Sequence, residues 1–175
     1  MSGVNVDVQS ILMSVLRFLS LLILVLWIGG LAALGFVGAS TIFSVLEARD
    51  PEGGRALAGL VFGAIFARFH RVSWVLGGLL LGLLGARAAL GPRPRRLGLR
   101  MWTAATMLAM SLIAGLWIAP RIDALRAATP GPIANLPDGD ASKAEFSRLH
   151  GTSTALLIAT LVAGAGLVWM EMKDG

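Results

Sequence analysis

The sequence contains no cysteine, and this absence removes several kinds of chemistry from consideration. Without cysteine the chain forms no disulfide bond, offers no thiolate to a metal or an iron–sulfur cluster, and attaches no c-type haem. Charged residues are also scarce at 14%, against about a quarter in soluble domains, whereas hydrophobic residues make up 56% of the chain. This composition is typical of a membrane protein.

Long apolar stretches hold most of the hydrophobic residues, and each is long enough to cross the ~30 Å hydrocarbon core of a bilayer as a helix. They lie within about residues 11–46, 55–90, 97–128 and 141–171. The 22 glycines suit packed helices, in which small residues let the backbones approach each other. We therefore predict an all-α integral membrane protein with a single domain over residues 1–175. Its fold would be a bundle of four long antiparallel transmembrane helices with projecting outer ends.

The positive charge of the chain is densest in one connection between apolar stretches. Residues 87–100 contain five arginines and no acidic residue, in a chain of formal net charge +5. Basic connections are retained in the cytoplasm and are attracted to anionic headgroups. We therefore predict a multi-pass protein of the cell inner membrane with both termini and the 87–100 loop in the cytoplasm. Its basic residues would face the lipid bilayer rather than nucleic acid, and Arg17 would lie at the inner edge of the bilayer.

The only two histidines each follow a phenylalanine by four positions, as in Phe66 to His70 and Phe146 to His150. Both stand at the outer end of an apolar stretch, so we predict that they lie near each other on the second and fourth helices. Two hypotheses stay open. Imidazole is a common metal ligand and an axial ligand of haem, so His70 and His150 could hold copper, zinc or haem. Alternatively, each histidine hydrogen-bonds a carbonyl, serine or carboxylate across the bundle.

Further charged residues are predicted to form a polar cluster with the histidines at the outer surface. Arginine there would pair with acidic residues or reach headgroup phosphates, or else form an anion-binding vestibule. The predicted cluster consists of Arg68, Arg71, Arg121, Asp123, Glu145 and Arg148.

Tryptophan, glycine and proline mark the predicted helix contacts. Trp27 is expected to fill the space beside the Gly29–Gly30 pair, where a neighbouring helix approaches closely. Gly78 and Gly82 form a GxxxG pattern, which favours packing within the chain, with dimerisation as the alternative. Pro120 is expected to kink or thin the third helix where it leaves the hydrocarbon.

No catalytic motif accompanies these residues. Ser73 and Ser153 lie one helical turn after the histidines, but the sequence has neither a GxSxG elbow nor an HExxH motif. We therefore expect a non-enzymatic membrane protein, either a small subunit of a larger membrane assembly or a factor in metal or toxic-compound tolerance. Its partner would be another membrane protein or a second copy of the chain. The alternative is a haem- or copper-binding membrane protein with His70 and His150 as ligands.

Short motifs recur in order from about Leu19 to Leu161, and they are Leu26–Gly30, Ile42–Leu46, Val61–Phe69, Ile118–Arg126 and Phe146–Ser153. In order and spacing they resemble the bacterial domain-of-unknown-function 4149 family and its eukaryotic relative, transmembrane protein 205. The resemblance implies a four-span membrane protein without an established activity, and the eukaryotic relative is associated with tolerance of platinum drugs.

The chain is more distantly similar to copper-resistance membrane proteins and to the haem-containing protoporphyrinogen oxidase of bacteria. The ligand histidine on the first span of that oxidase has no counterpart here, which argues against its activity. Two departures from the 4149 family also occur. Ala39–Ser40 replaces a proline, and Leu156–Leu157 stands where an asparagine is expected.

Overall fold

The computed structural model describes residues 2–91 and 95–173, and within them the backbone is almost entirely helical, without a strand. Four long helical units follow one another, and two of them contain a π-helical segment. The elements are α1 (Ser2–Ala32), π1 (Ala33–Gly38), α2 (Ala39–Arg49), α3 (Gly54–Leu90), α4 (Leu97–Ile113), π2 (Ala114–Ile118), α5 (Ala119–Ala128), a 3-10 turn (Ile133–Asn135) and α6 (Ala141–Lys173). The all-helical prediction is confirmed, and the predicted spans fall on these units to within a few residues.

The first two units are joined by a turn that the sequence specifies closely. Asp50 leaves the helical conformation, and its Oδ1 accepts hydrogen bonds from the amides of Glu52 and Gly53. Gly54 then starts α3 so close to the preceding helix that a Cβ there would overlap the carbonyl oxygen of Leu46. The short turn therefore places α2 directly beside the start of α3, and the two helices pack together.

All four units are long and apolar enough to cross a membrane. They cover Val8–Arg49, Gly54–Leu90, Leu97–Ala128 and Ala141–Lys173. Their outward faces carry large apolar side chains, among them Trp102, which is 76% exposed, and Trp169, which is 59% exposed. Such faces indicate a multi-pass membrane protein, because lipid is the surrounding that they match.

The core lies between α1, α3, α4 and α6, and Trp27 is its largest fully enclosed side chain, with 0% exposure. The Trp27 ring packs on Gly77 of α3, where a Cβ would lie 2.9 Å from a ring carbon. Gly164 of α6 leaves room for Ile28 in the same way. Small residues thus allow the close helix contacts that membrane bundles use in place of a hydrophobic driving force.

The side of α3 that faces the core, here called the inner face, is polar at both ends. Its buried residues recur every three or four positions, from His70 through Ser73, Gly77, Leu80 and Leu84 to Arg87. A helix rises about 1.5 Å per residue, so His70 and Arg87 stand about 26 Å apart along α3. One polar residue therefore marks each end of an apolar layer of roughly bilayer thickness.

The predicted packing glycines divide into two groups. Gly30 adjoins the ring of Phe69, as expected for a close helix contact. Gly29, Gly78 and Gly82 have no other atom of the described chain within 4 Å of an added Cβ. The predicted contact of Gly78 and Gly82 within the chain is therefore not found, because the core face of α3 is the Gly77 face and not theirs. Trp27 likewise packs on Gly77 rather than beside Gly29.

Pro120 lies in the first turn of α5, immediately after π2. Proline has no amide hydrogen, so it cannot donate to the carbonyl group four residues earlier. That carbonyl belongs to Leu116, which lies inside π2. The helix thus changes from α-helical to π-helical winding just before Pro120, and such a change is a recognised cause of helix bends.

Candidate functional site: the His70 cleft

His70 is buried on the core-facing side of α3, near the middle of the helix and about 26 Å from Arg87 along it. Its Nδ1 lies 3.2 Å from Oγ of Ser111 on α4, in a hydrogen bond between two buried side chains. The ring of Phe66 meets the imidazole edge to face, with 4.6 Å between centroids. This arrangement leaves Nε2 as the imidazole nitrogen without a hydrogen-bond partner in the described chain.

A narrow cleft opens beside His70 between the four helical units. The volume that the centre of a water molecule can occupy is about 10 Å³, so the cleft holds about one water. The polar lining consists of His70, Ser111, Ser153 and Thr160, and the apolar lining includes Leu31, Phe66, Met110 and Leu157. The cleft is therefore far smaller than a site for a drug-sized molecule, and its few hydroxyl groups and one imidazole in an apolar wall could contact only a water molecule, a single ion or a ligand of a few atoms.

Both π-helical segments adjoin this cleft. Ala114, the first residue of π2, lines it, and a Cβ on Gly115 would lie 3.1 Å from two carbon atoms of His70. Gly35 of π1 packs against Leu157, another lining residue. Single π turns inside α-helices occur frequently at functional sites, because they re-aim the neighbouring side chains and carbonyl groups. Two of them at one cleft support its assignment as the functional site.

Unused hydrogen-bond donors surround His70. Oγ of Ser73 and Nε1 of Trp74 are buried and have no partner within residues 8–91 and 95–173. Nε1 of Trp27, deeper in the core, is in the same situation. Buried donors without acceptors are rare in folded proteins, and each calls for a specific explanation. Ser73, Trp74 and Trp27 are not among the residues that line the cleft, so their donors are a feature of the surrounding core and not contacts of a molecule in the cleft.

His150 occupies a different environment from His70. It is exposed on α6 and stacks on Phe146 with 6.0 Å between ring centroids, while its neighbour Leu149 is the residue that turns inward. His150 is not part of the cleft lining. The described residues also contain no group of three or more histidine, aspartate or glutamate side chains that could hold a metal ion. A shared site for the two histidines stays a prediction.

The charged residues predicted around the histidines do not form ion pairs with one another in the described chain. Asp123 pairs with Arg126 at 3.5 Å, and Arg121 lies over the ring of Trp117, 4.6 Å from its centroid. The other arginines of the predicted cluster, which are Arg68, Arg71 and Arg148, are exposed, and Glu145 is half-buried. Apart from the pair of Asp123 with Arg126, they are therefore separate charges and not one paired cluster.

A second polar site, at the opposite end of the bundle, was not predicted. Glu171 of α6 is buried, and its carboxylate accepts hydrogen bonds from Arg87 at 2.9 Å and from Arg100 at 2.8 Å. Arg100 also donates to the carbonyl of Met170, and Arg17 donates to the carbonyl of Glu171, both at 2.7 Å. We call Arg17, Arg87, Arg100 and Glu171 the inner charge cluster.

The sequence contains a signal for this cluster. Glu171 stands between two methionines in an apolar segment, and an ionisable residue in such a segment is expected to face inward and find a charged partner. From the sequence, Arg87 and Arg100 were predicted only as part of the basic 87–100 loop. Met110 was not singled out from the sequence, and the structure puts it in the cleft with His70.

These features define a class: a helical, multi-pass membrane protein with a small interior cleft near one end and a buried charge cluster near the other. A family model described as "Domain of unknown function (DUF4149)" matches residues 22–130, which is more than half of the chain, and the chain belongs to this family. The match includes His70 and Ser111 but ends before Ser153 and Thr160, the α6 side of the cleft. No curated protein and no solved structure matches the chain.

Proposed function

We propose that this protein is a non-enzymatic factor in metal or toxic-compound tolerance that binds a small ligand in the His70 cleft. The observation that carries the proposal is the imidazole itself. His70 is held by Ser111 through Nδ1, and its Nε2 is left for a ligand in a cleft with two further hydroxyl groups.

The proposal includes a placement in the membrane. The four units would cross the inner membrane as an antiparallel bundle, with the termini and the 87–100 loop in the cytoplasm and the His70 cleft towards the outer side. Exposed tryptophans support the depth of insertion, because Trp102 and Trp117 stand fifteen residues, or about 22 Å, apart along the third unit. Association with a membrane-protein partner or a second copy, and similarity to transmembrane protein 205, belong to the same proposal.

A copper-binding protein is the second candidate, and the lining of the cleft favours one form of it. The thioether of Met110 and the imidazole of His70 line the same cleft, and thioether sulfur is among the soft ligands that select Cu(I). His150, by contrast, is exposed and outside the lining. Haem fits less well, because the cleft has room for about one water molecule and not for a porphyrin.

Metal content and an optical spectrum test both candidates on the protein purified in mild detergent. His70→Ala is the test variant and His150→Ala is its matched control, because the two histidines differ in burial but not in chemistry. Copper that is present in the wild type, lost in His70→Ala and Met110→Leu, and kept in His150→Ala would support the copper site. Equal loss in both histidine variants would instead favour the shared two-histidine site.

A growth assay tests tolerance itself. A bacterial host that expresses the wild type should survive higher copper or toxic-compound concentrations than the host with an empty vector. His70→Ala should lose this advantage and His150→Ala should keep it, at equal expression in the membrane fraction. If His70→Ala protects as well as the wild type, the cleft is not the site of tolerance. The role as a subunit of a membrane assembly would then be the one to pursue.

A further inference from the structure

The inner charge cluster contains a guanidinium group whose charge is not neutralised by the described chain. Nη2 of Arg17 donates to a backbone carbonyl, that of Glu171, and Nε of Arg17 is buried without a partner. The carboxylate of Glu171 does not contact Arg17, because it accepts from Arg87 and Arg100 instead. Arg17 thus places a positive charge beside the ion pair of Arg87 and Glu171 without taking part in it.

An arginine charge in this environment raises the free energy of the folded protein unless an anion approaches it. A charge that is partly removed from water is stabilised by an opposite charge and by hydrogen bonds, and several kcal/mol are lost in their absence. Arg87 shows the same shortage, since it reaches both oxygens of Glu171 through Nη1 alone and its Nε has no partner. Arg17 and Arg87 therefore both have unused donors, and the charge of Arg17 is not paired with a carboxylate in the described chain.

The depth of the cluster points to the source of the anion. Trp102 follows Arg100 by two residues, and Trp169 precedes Glu171 by two, and both tryptophan side chains are exposed. Exposed tryptophan marks the headgroup level of a bilayer. Arg17 itself is half-buried on α1, so its guanidinium group is not closed off completely by the described chain at that level.

We propose that Arg17 and the adjoining inner charge cluster bind the phosphate of an anionic phospholipid. Arginine suits this role, because its planar group of N–H donors matches phosphate oxygens, and basic pockets between helices at this side of a membrane hold anionic headgroups. The phosphate would approach the half-buried Arg17 and supply the negative charge that this guanidinium group lacks in the described chain. This inference rests on the proposed membrane insertion but not on the ligand of the His70 cleft.

The test is lipid binding in mild detergent, measured as bound phospholipid by native mass spectrometry and as thermal stability. Wild-type protein should retain phosphatidylglycerol in preference to phosphatidylcholine and should unfold at a higher temperature with it. Arg17→Gln should bind phosphatidylglycerol about five-fold more weakly, the factor that corresponds to ~1 kcal/mol per arginine at a membrane surface. Arg71→Gln is the matched control, because it removes the same charge from an exposed arginine near the middle of α3, beside His70 and away from the inner charge cluster, and it should leave the preference unchanged.

Several results would overturn the proposal. They are a wild type without preference between the two lipids, an Arg17→Gln variant that keeps the preference, and an Arg71→Gln variant that loses it equally. Millimolar inorganic phosphate should not replace the lipid, and equal stabilisation by it would assign the cluster to a free anion. The wild-type comparisons decide the question even if Arg17→Gln fails to fold. Metal content and growth are separate measurements, so failure here leaves the proposed function intact.

Discussion

Replacing Glu171 by glutamine removes the carboxylate charge that Arg87 and Arg100 both contact, while it keeps the size of the side chain. The carboxylate side chain is 2% exposed, and its hydrogen bonds are 2.8 to 2.9 Å long. Breaking a buried ion pair by removing one partner costs about 3–5 kcal/mol, because the other charge is left buried without compensation. We expect Glu171→Gln to lower the free energy of unfolding by that amount.

Glu47→Gln is the matched control for this prediction. Glu47 also pairs with an arginine, Arg55, at 3.0 Å, but its side chain is 38% exposed. Ion pairs in contact with solvent contribute about 0–1 kcal/mol. The same chemical change should therefore have at least a three-fold smaller effect at position 47. Both variants can be compared with the wild type by equilibrium unfolding in detergent, followed by the circular dichroism of the helices.

A second variant separates charge from packing. If the cost of Glu171→Gln comes from an uncompensated guanidinium group, Arg87→Gln combined with it should cost less than the sum of the two single variants. Additive losses, or a Glu171→Gln variant within about 1 kcal/mol of the wild type, would refute the assignment of the inner charge cluster as a buried ion-pair network.

Three further predictions concern the His70 cleft. Gly115→Ala should lower the free energy of unfolding by about 1–3 kcal/mol, because its methyl group would lie 3.1 Å from His70 and 2.9 Å from a tryptophan ring carbon. Gly29→Ala has open space around it, so it should be neutral or slightly stabilising in the same unfolding assay. Ser111→Ala removes the partner of Nδ1 and should cost about 1 kcal/mol, with weaker ligand or metal binding as its second effect. Diethyl pyrocarbonate should modify exposed His150 much faster than His70, measured by peptide mass spectrometry, and equal rates would contradict the burial of His70.

The helices were predictable because membrane-spanning length and apolar composition leave little choice of structure. Their ends were predictable from the same sequence, since Asp50, Pro51 and Gly54 form a turn that no helix continues through. The π segments were not, because they keep the composition and nearly the period of an α-helix. The only sign of π2 was Pro120, which indicates a disturbed turn but not its winding.

The site was predicted in part, and the two histidines show why. Each follows a phenylalanine by four positions and precedes a serine by three, so their local sequences are similar. Burial depends instead on which face of the helix meets the core. His70 shares its face with Ser73 and Gly77, whereas next to His150 it is Leu149 that points inward. Sequence at one helix cannot decide this, because the answer depends on the packing of the other three units.

The two π segments have a consequence for how the ends of the molecule are oriented. A helix turns by about 100° per residue, and a π turn contains one more residue than an α turn, so each segment rotates everything beyond it. Below the segments α1 packs on α3 and α6, and above them α2 packs on α3 while Arg126 of α5 lies across Gly59 and Gly63. The helices that follow the π segments, α2 and α5, are therefore rotated relative to α1 and α4. Deleting one residue from π2 would remove this rotation and turn Arg126 away from Gly59 and Gly63. His70 lies at the level where the rotation begins, because it packs against Gly115 of π2.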